Sequence, residues 1–68
     1  MRYYSTQRPL SPGAFPKPVG NKVLNCVNFD GGRTFCREIG RTAYGYIEYE
    51  RPISIWDADS YELTKGIT

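Results

Sequence analysis

"KVLNCVNFDGGRTFCREI", residues 22–39, is the stretch on which the architecture turns. Two β-prone runs, Lys22–Phe29 and Thr34–Ile39, flank Asp30-Gly31-Gly32. Glycine tolerates the positive φ that a tight hairpin turn requires. Side chains of a strand alternate between faces, so a one-residue slip in pairing sends every side chain to the other side. A three-residue loop ending in a glycine bulge sets Phe29 against Arg33, Val27 against Phe35 and Val23 against Ile39. That register gathers Val23, Val27, Phe29, Phe35 and Ile39 on one face, whereas loops of two or four residues scatter Phe35 and Ile39. The two runs are therefore expected to pair as a hairpin with Val27 opposite Phe35.

Downstream, Gly40–Ala43 reads as a second turn and "YGYIEYER", residues 44–51, as a third strand ended by Pro52. "SIWDADSYEL", residues 54–63, reads as a short helix. Ser54 is its expected N-cap, Asp57 stands at the capping-box position, and Ile55, Trp56 and Ala58 form its expected buried side. Tyr61–Leu63 is either the helix end or a short last strand.

Upstream, Tyr3–Thr6 is a short β-prone run expected at a sheet edge. Residues 7–21 hold four prolines and two glycines. Proline fixes φ, removes an amide donor and pushes the residue before it towards extended backbone, so this arm is extended coil with a turn at Pro12-Gly13. Pro9-Leu10-Ser11-Pro12 also matches the PxxP pattern, which is frequent by chance. A lone hairpin sheet is marginal in water and needs a cover, and proline lowers the entropy lost when a cover orders. The arm is therefore expected to lie over the sheet with Leu10 and Phe15 as anchors.

The expected fold is α+β and mostly β: an antiparallel meander of three or four strands, one short C-terminal helix and a packed proline-rich arm. Residues 1–68 are read as one small domain, with the arm at 1–21, the strands at 22–51 and the helix and tail at 52–68. A domain this small buries only ~60% of its unfolded surface. One Trp, six Tyr and three Phe are available to build its core, and each aromatic buries ~150–250 Å².

Composition narrows the chemistry. Histidine is absent, which removes the commonest general base at neutral pH and the usual companion of cysteine in structural zinc sites. No apolar run approaches the ~18 residues that span a membrane, and the N-terminus has no apolar signal region. A cytoplasmic protein without a membrane partner is expected. Cys26 and Cys36 face each other in the chosen register, but cross-strand geometry strains a disulfide and cytosolic thiols stay reduced. The glycines of Asp30-Gly31-Gly32 lack the strand-loop-helix setting of a phosphate loop. The carboxylates Glu48, Glu50, Asp57, Asp59 and Glu62 match no calcium-loop spacing. No cofactor, no metal and no catalytic residue is expected.

Charge is divided along the chain. Residues 1–41 carry seven basic and two acidic side chains, residues 42–68 two basic and five acidic. The basic residues are dispersed, which favours opposite charges meeting across the fold over a nucleic-acid footprint. One constellation still points to binding. Arg33, Arg37 and Arg41 with Tyr44, Tyr46 and Tyr49 would make a basic, aromatic sheet face of the kind that stacks bases of single-stranded nucleic acid. The competing role for those tyrosines is the core of a small sheet, since Tyr is β-prone.

Taken together, "MRYYSTQRP", "PGAFPKPVGN", "NFDGG", "TFCREIGR", "AYGYIEYERPIS" and "YEL" resemble short proteins of conjugative elements and related mobile DNA in gut Firmicutes. They are also similar to a module within large polyvalent proteins of such elements. The resemblance runs over nearly the whole chain and brings no catalytic residues with it. It implies a bacterial cytoplasmic accessory protein acting on DNA or proteins during transfer. The expected function is a non-enzymatic interaction module that binds a protein, with single-stranded nucleic-acid binding through the Tyr/Arg face as the alternative.

Overall fold

Tyr3 and Tyr4 point to opposite sides of one strand, and that alternation organises the molecule. The computed structural model describes residues 1–67. In chain order its elements are β1 (Arg2–Ser5), β2 (Val23–Asn28), β3 (Thr34–Cys36), β4 (Arg41–Ala43), β5 (Gly45–Tyr49), α1 (Ile55–Ser60) and β6 (Leu63–Lys65). Four strands form an antiparallel sheet in the order β2-β5-β1-β6, and β3 and β4 form a separate two-stranded ribbon. The mostly-β α+β class with one short C-terminal helix holds.

The expected register does not. β2 pairs with β5, setting Val27 against Tyr46 and Cys26 against Ile47. Phe35 instead faces Thr42, across a hairpin closed by Arg37–Gly40. Gly32 N–H still closes a turn onto the Phe29 carbonyl at 3.1 Å, but that turn redirects the chain and joins no paired strands. Arg41–Ala43 is strand rather than turn; the turn lies just before it, where Gly40 takes φ 68° and donates to the Cys36 carbonyl at 2.9 Å. β2 and β5 approach so closely that a Cβ on Gly45 would sit 2.0 Å from the Val27 carbonyl oxygen. Only glycine fits there. The cysteines are consequently apart in the pairing: Cys26 opposes Ile47, Cys36 opposes Arg41, and both are free.

β1 is not an edge strand. It lies between β5 and β6, with Tyr3 opposite both Ile47 and Lys65. Each face of the sheet therefore has its own cover. On one face Tyr3, Ile47, Tyr49 and Leu63 cluster with Leu10 of the arm and Ile53 from the segment before the helix. Phe15, Ala58 and Tyr61 pack half-buried against that cluster. On the other face Tyr4 clusters with Cys36 and Ala43 of the ribbon, joined by Phe29, Ile39 and Tyr46. Small inward side chains let the ribbon lie close.

On the Tyr3 side the arm and the segment before the helix are coil, so their peptide groups need partners. The Tyr49 hydroxyl donates to the Pro16 carbonyl at 2.5 Å, and Ile53 N–H donates to the Tyr3 hydroxyl at 3.1 Å. Two asparagines act as surrogate strands. The Asn28 carboxamide accepts from Leu10 N–H at 2.8 Å and donates to the Leu10 carbonyl at 2.9 Å. The Asn21 carboxamide treats the N–H and carbonyl of Arg51 the same way, both at 2.9 Å.

Leu10→Ala is expected to lower unfolding stability by ~2–5 kcal/mol in urea titration, as buried leucine truncations do. Phe15→Ala should cost less, because Phe15 is only half-buried. Burial, and after it the nearby Asp57, pushes the Tyr49 phenol well above its ordinary value. The folded state thus resists an ionisation that the unfolded chain undergoes near pH ~10. Stability should be flat with respect to this group below pH ~10 and fall as pH rises beyond it. Tyr49→Phe should flatten that alkaline limb of the melting-temperature profile while lowering stability at neutral pH by ~1–3 kcal/mol, because the Pro16 carbonyl loses its partner.

Candidate interaction surface

Two exposed patches remain once the sheet is covered on both sides. The first lies on the ribbon. Thr34 pairs with Ala43, Phe35 with Thr42 and Cys36 with Arg41. Cys36 and Ala43 turn inward, so alternation turns Phe35 and Thr42 outward. Phe35 is 61% exposed. Arg33, Arg37 and Arg41 are exposed on or beside the ribbon, Arg41 at the position opposite Cys36. The Arg33 guanidinium lies 5.4 Å from the centroid of the half-buried Tyr44 ring.

The other two tyrosines expected on this face are elsewhere. Tyr49 is fully buried in the core on the opposite side of the sheet, because it lies two residues from the equally buried Ile47 on β5. Tyr46 faces the ribbon side but is enclosed, tilted against Tyr4 at 5.8 Å and Phe29 at 6.2 Å between ring centroids. The Arg2 guanidinium covers it at 4.1 Å. Phe35 is the surface aromatic that the sequence reading missed. The expected hairpin register had placed it in the core.

The second patch lies on α1. Ser54 is the N-cap, its hydroxyl accepting from Asp57 N–H at 3.1 Å, as the sequence implied. The expected buried side holds at Ala58 but not at Ile55 and Trp56, which are 83% and 80% exposed. Ile53 takes the buried place instead, one residue before the cap, in the cluster that Ala58 packs against. These are the two staple positions flanking a helix start. Six residues are too few for a helix to bury a whole side. Beside Ile55 runs an open groove of about 400 Å³ lined by Tyr3, Pro52, Ile53, Ala58 and Lys65. Asp57, Asp59 and Glu62 surround the patch in sequence.

Among the described residues no group of three or more His, Cys, Asp or Glu side chains could hold a metal ion, and no helix is long and apolar enough to cross a membrane. Burial, and then the neighbouring Glu38, pushes the Cys36 thiol above its ordinary value, away from the reactive thiolate.

Trp56 is the only tryptophan. Its fluorescence should therefore report the patch directly: emission at the wavelength of a solvated indole, with ready quenching by acrylamide, in the folded protein. Trp56→Ser should leave stability within ~0.5 kcal/mol, as surface substitutions do. A blue-shifted, protected emission would contradict the exposed ledge.

No curated protein and no solved structure matches the chain. One family does: residues 1–66 match the family described as "Defence against restriction A C-terminal". The expected kinship with a module of larger proteins agrees with that description, while neither Firmicutes nor conjugative elements enter through it. By a match that spans all but its last two residues, the chain belongs to the defence against restriction A C-terminal family.

Proposed function

We propose that the chain is a non-enzymatic interaction module of a defence-against-restriction protein, and that it seats a protein partner on the Ile55–Trp56 ledge. The observation that carries this reading is the exposure of those two large apolar side chains beside an apolar groove. Tryptophan is among the residues most enriched at binding hot spots, where it fills a desolvated pocket on the partner. Water gains nothing from a solvated Ile-Trp pair, whereas burial of either side chain is worth ~1.5–3 kcal/mol before the costs of association. Asp57 and Asp59 near the ledge favour a partner whose apolar socket has a basic rim. The working place is the bacterial cytoplasm, in the service of a mobile element.

A photo-crosslinking residue at position 56 tests the reading against the same residue at the fully exposed Val19. In cells carrying the parent mobile element, position 56 should give a discrete protein adduct that excess unlabelled chain suppresses. The Ile55→Asp variant should not suppress it. Identical labelling from positions 19 and 56 would refute a docking ledge.

A further inference from the structure

We infer that the β3–β4 ribbon is a binding site for single-stranded nucleic acid, in which Phe35 stacks on a base and Arg33, Arg37 and Arg41 engage the flanking phosphates. This site is independent of the Ile55–Trp56 ledge, since the ribbon covers the Tyr4 face of the sheet and the helix lies on the Tyr3 side.

The argument begins with Phe35. It is a large apolar ring left in water on a strand whose other face is packed. Its cross-strand neighbour is the small Thr42, which leaves room above the ring. Arg33 stands two positions away along the chain, in the bend that leads into β3. The Tyr44 ring supports its guanidinium. A guanidinium held on a ring keeps its N–H donors in its own plane, free for bidentate contact with a phosphate. Arg37 and Arg41 bracket the turn at the ribbon's tip, both exposed.

Glu38, in the same turn, is half-buried, accepts from the Tyr4 hydroxyl at 2.5 Å and lies against Gly66. Asp30 stands in the turn before the ribbon, ahead of Arg33. Three exposed cations thus lie on residues 33–41, the stretch that carries the open ring. An acidic peptide would use the arginines but has no need of the ring. A base has a π-face that matches it, and only an unstacked base offers that face, which favours a single strand over a duplex.

Anisotropy of a fluorescein-labelled oligothymidylate of about 15 nucleotides, titrated with the full chain between about 50 and about 200 mM salt, tests the site. Binding should weaken with salt with a logarithmic slope near −2, about −0.7 for each of three phosphates. Phe35→Ala should weaken binding about 5- to 150-fold, the effect of losing one base stack. Arg33→Gln should reduce the slope by about 0.7. Trp56→Ala should bind as the parent does, which separates failure here from failure of the protein-docking reading. All three positions are exposed, and circular dichroism verifies that each variant folds. The inference is overturned by any of three results: no binding of the oligonucleotide at the lower salt, affinity unchanged in Phe35→Ala, or tighter binding of a duplex of the same length. Equal competition by polyglutamate, without dependence on Phe35, would reassign the arginines to an acidic protein.

Discussion

The contact between two buried tyrosines is the constraint on which the rest of this small structure depends. Tyr3 and Tyr49 meet edge to face, with ring centroids 5.8 Å apart and planes at 81°. They come from adjacent strands, β1 and β5, and fill the centre of the larger core. Their hydroxyls extend through that core to the coil on its far side, one holding the Pro16 carbonyl and the other the Ile53 amide. A coil cover is acceptable only when its buried peptide groups are paired. The prolines of the arm lighten that demand, because each lacks an N–H. What remains is met by the carboxamides of Asn28 and Asn21, which offer one donor and one acceptor in the geometry of a strand edge. The proline-rich arm thus does the work that a second sheet does in a larger domain.

Local chemistry made part of this legible in the sequence. Ser54 as a helix cap, the break at Pro52, the extended arm and the β-prone runs each depend on residues close in the chain, and each is where its residues imply. The pairing of those runs was not legible. A turn at Asp30-Gly31-Gly32 suggests that its flanks pair, yet the competing pair β2–β5 prevails. Gly45 permits the close approach, and Asn28 binds the arm at the end of β2. Neither signal has a period or a motif. The same misreading hid the exposed ring on the ribbon: the expected register put Phe35 in the core, and of the two roles open to Tyr49, sheet face or core, the structure gives it the core. Trp56 escaped for a different reason, since a helix of six residues buries only what flanks its cap.

Covering both faces of the sheet places the exposed rings of Phe35 and Trp56 on the covers, while Leu24 stays exposed on β2. The sheet keeps Tyr3, Tyr4, Ile47 and Tyr49 for itself, while Phe35 and Trp56 stand on the ribbon and the helix. Elements at the periphery of a rigid scaffold tolerate change that the scaffold does not. In a family defined by a C-terminal module, that arrangement lets one core present different surfaces without repacking.

The place of β1 has a consequence for the emerging chain. Within the domain β1 is an interior strand, and its neighbour β6 comprises residues 63–65. The sheet therefore closes only once β6 has emerged, and closure pairs Tyr3 with Lys65, a long loop whose formation is slow. Until then the chain exposes unpaired strands that could capture one another. β2 carries its own safeguard for this interval. An irregular step in its pairing between Val23 and Asn25 bends it, and the Asn25 carboxamide accepts from the Cys26 N–H at 2.9 Å. A strand whose amide is already occupied by its own side chain makes a poor template for a neighbour.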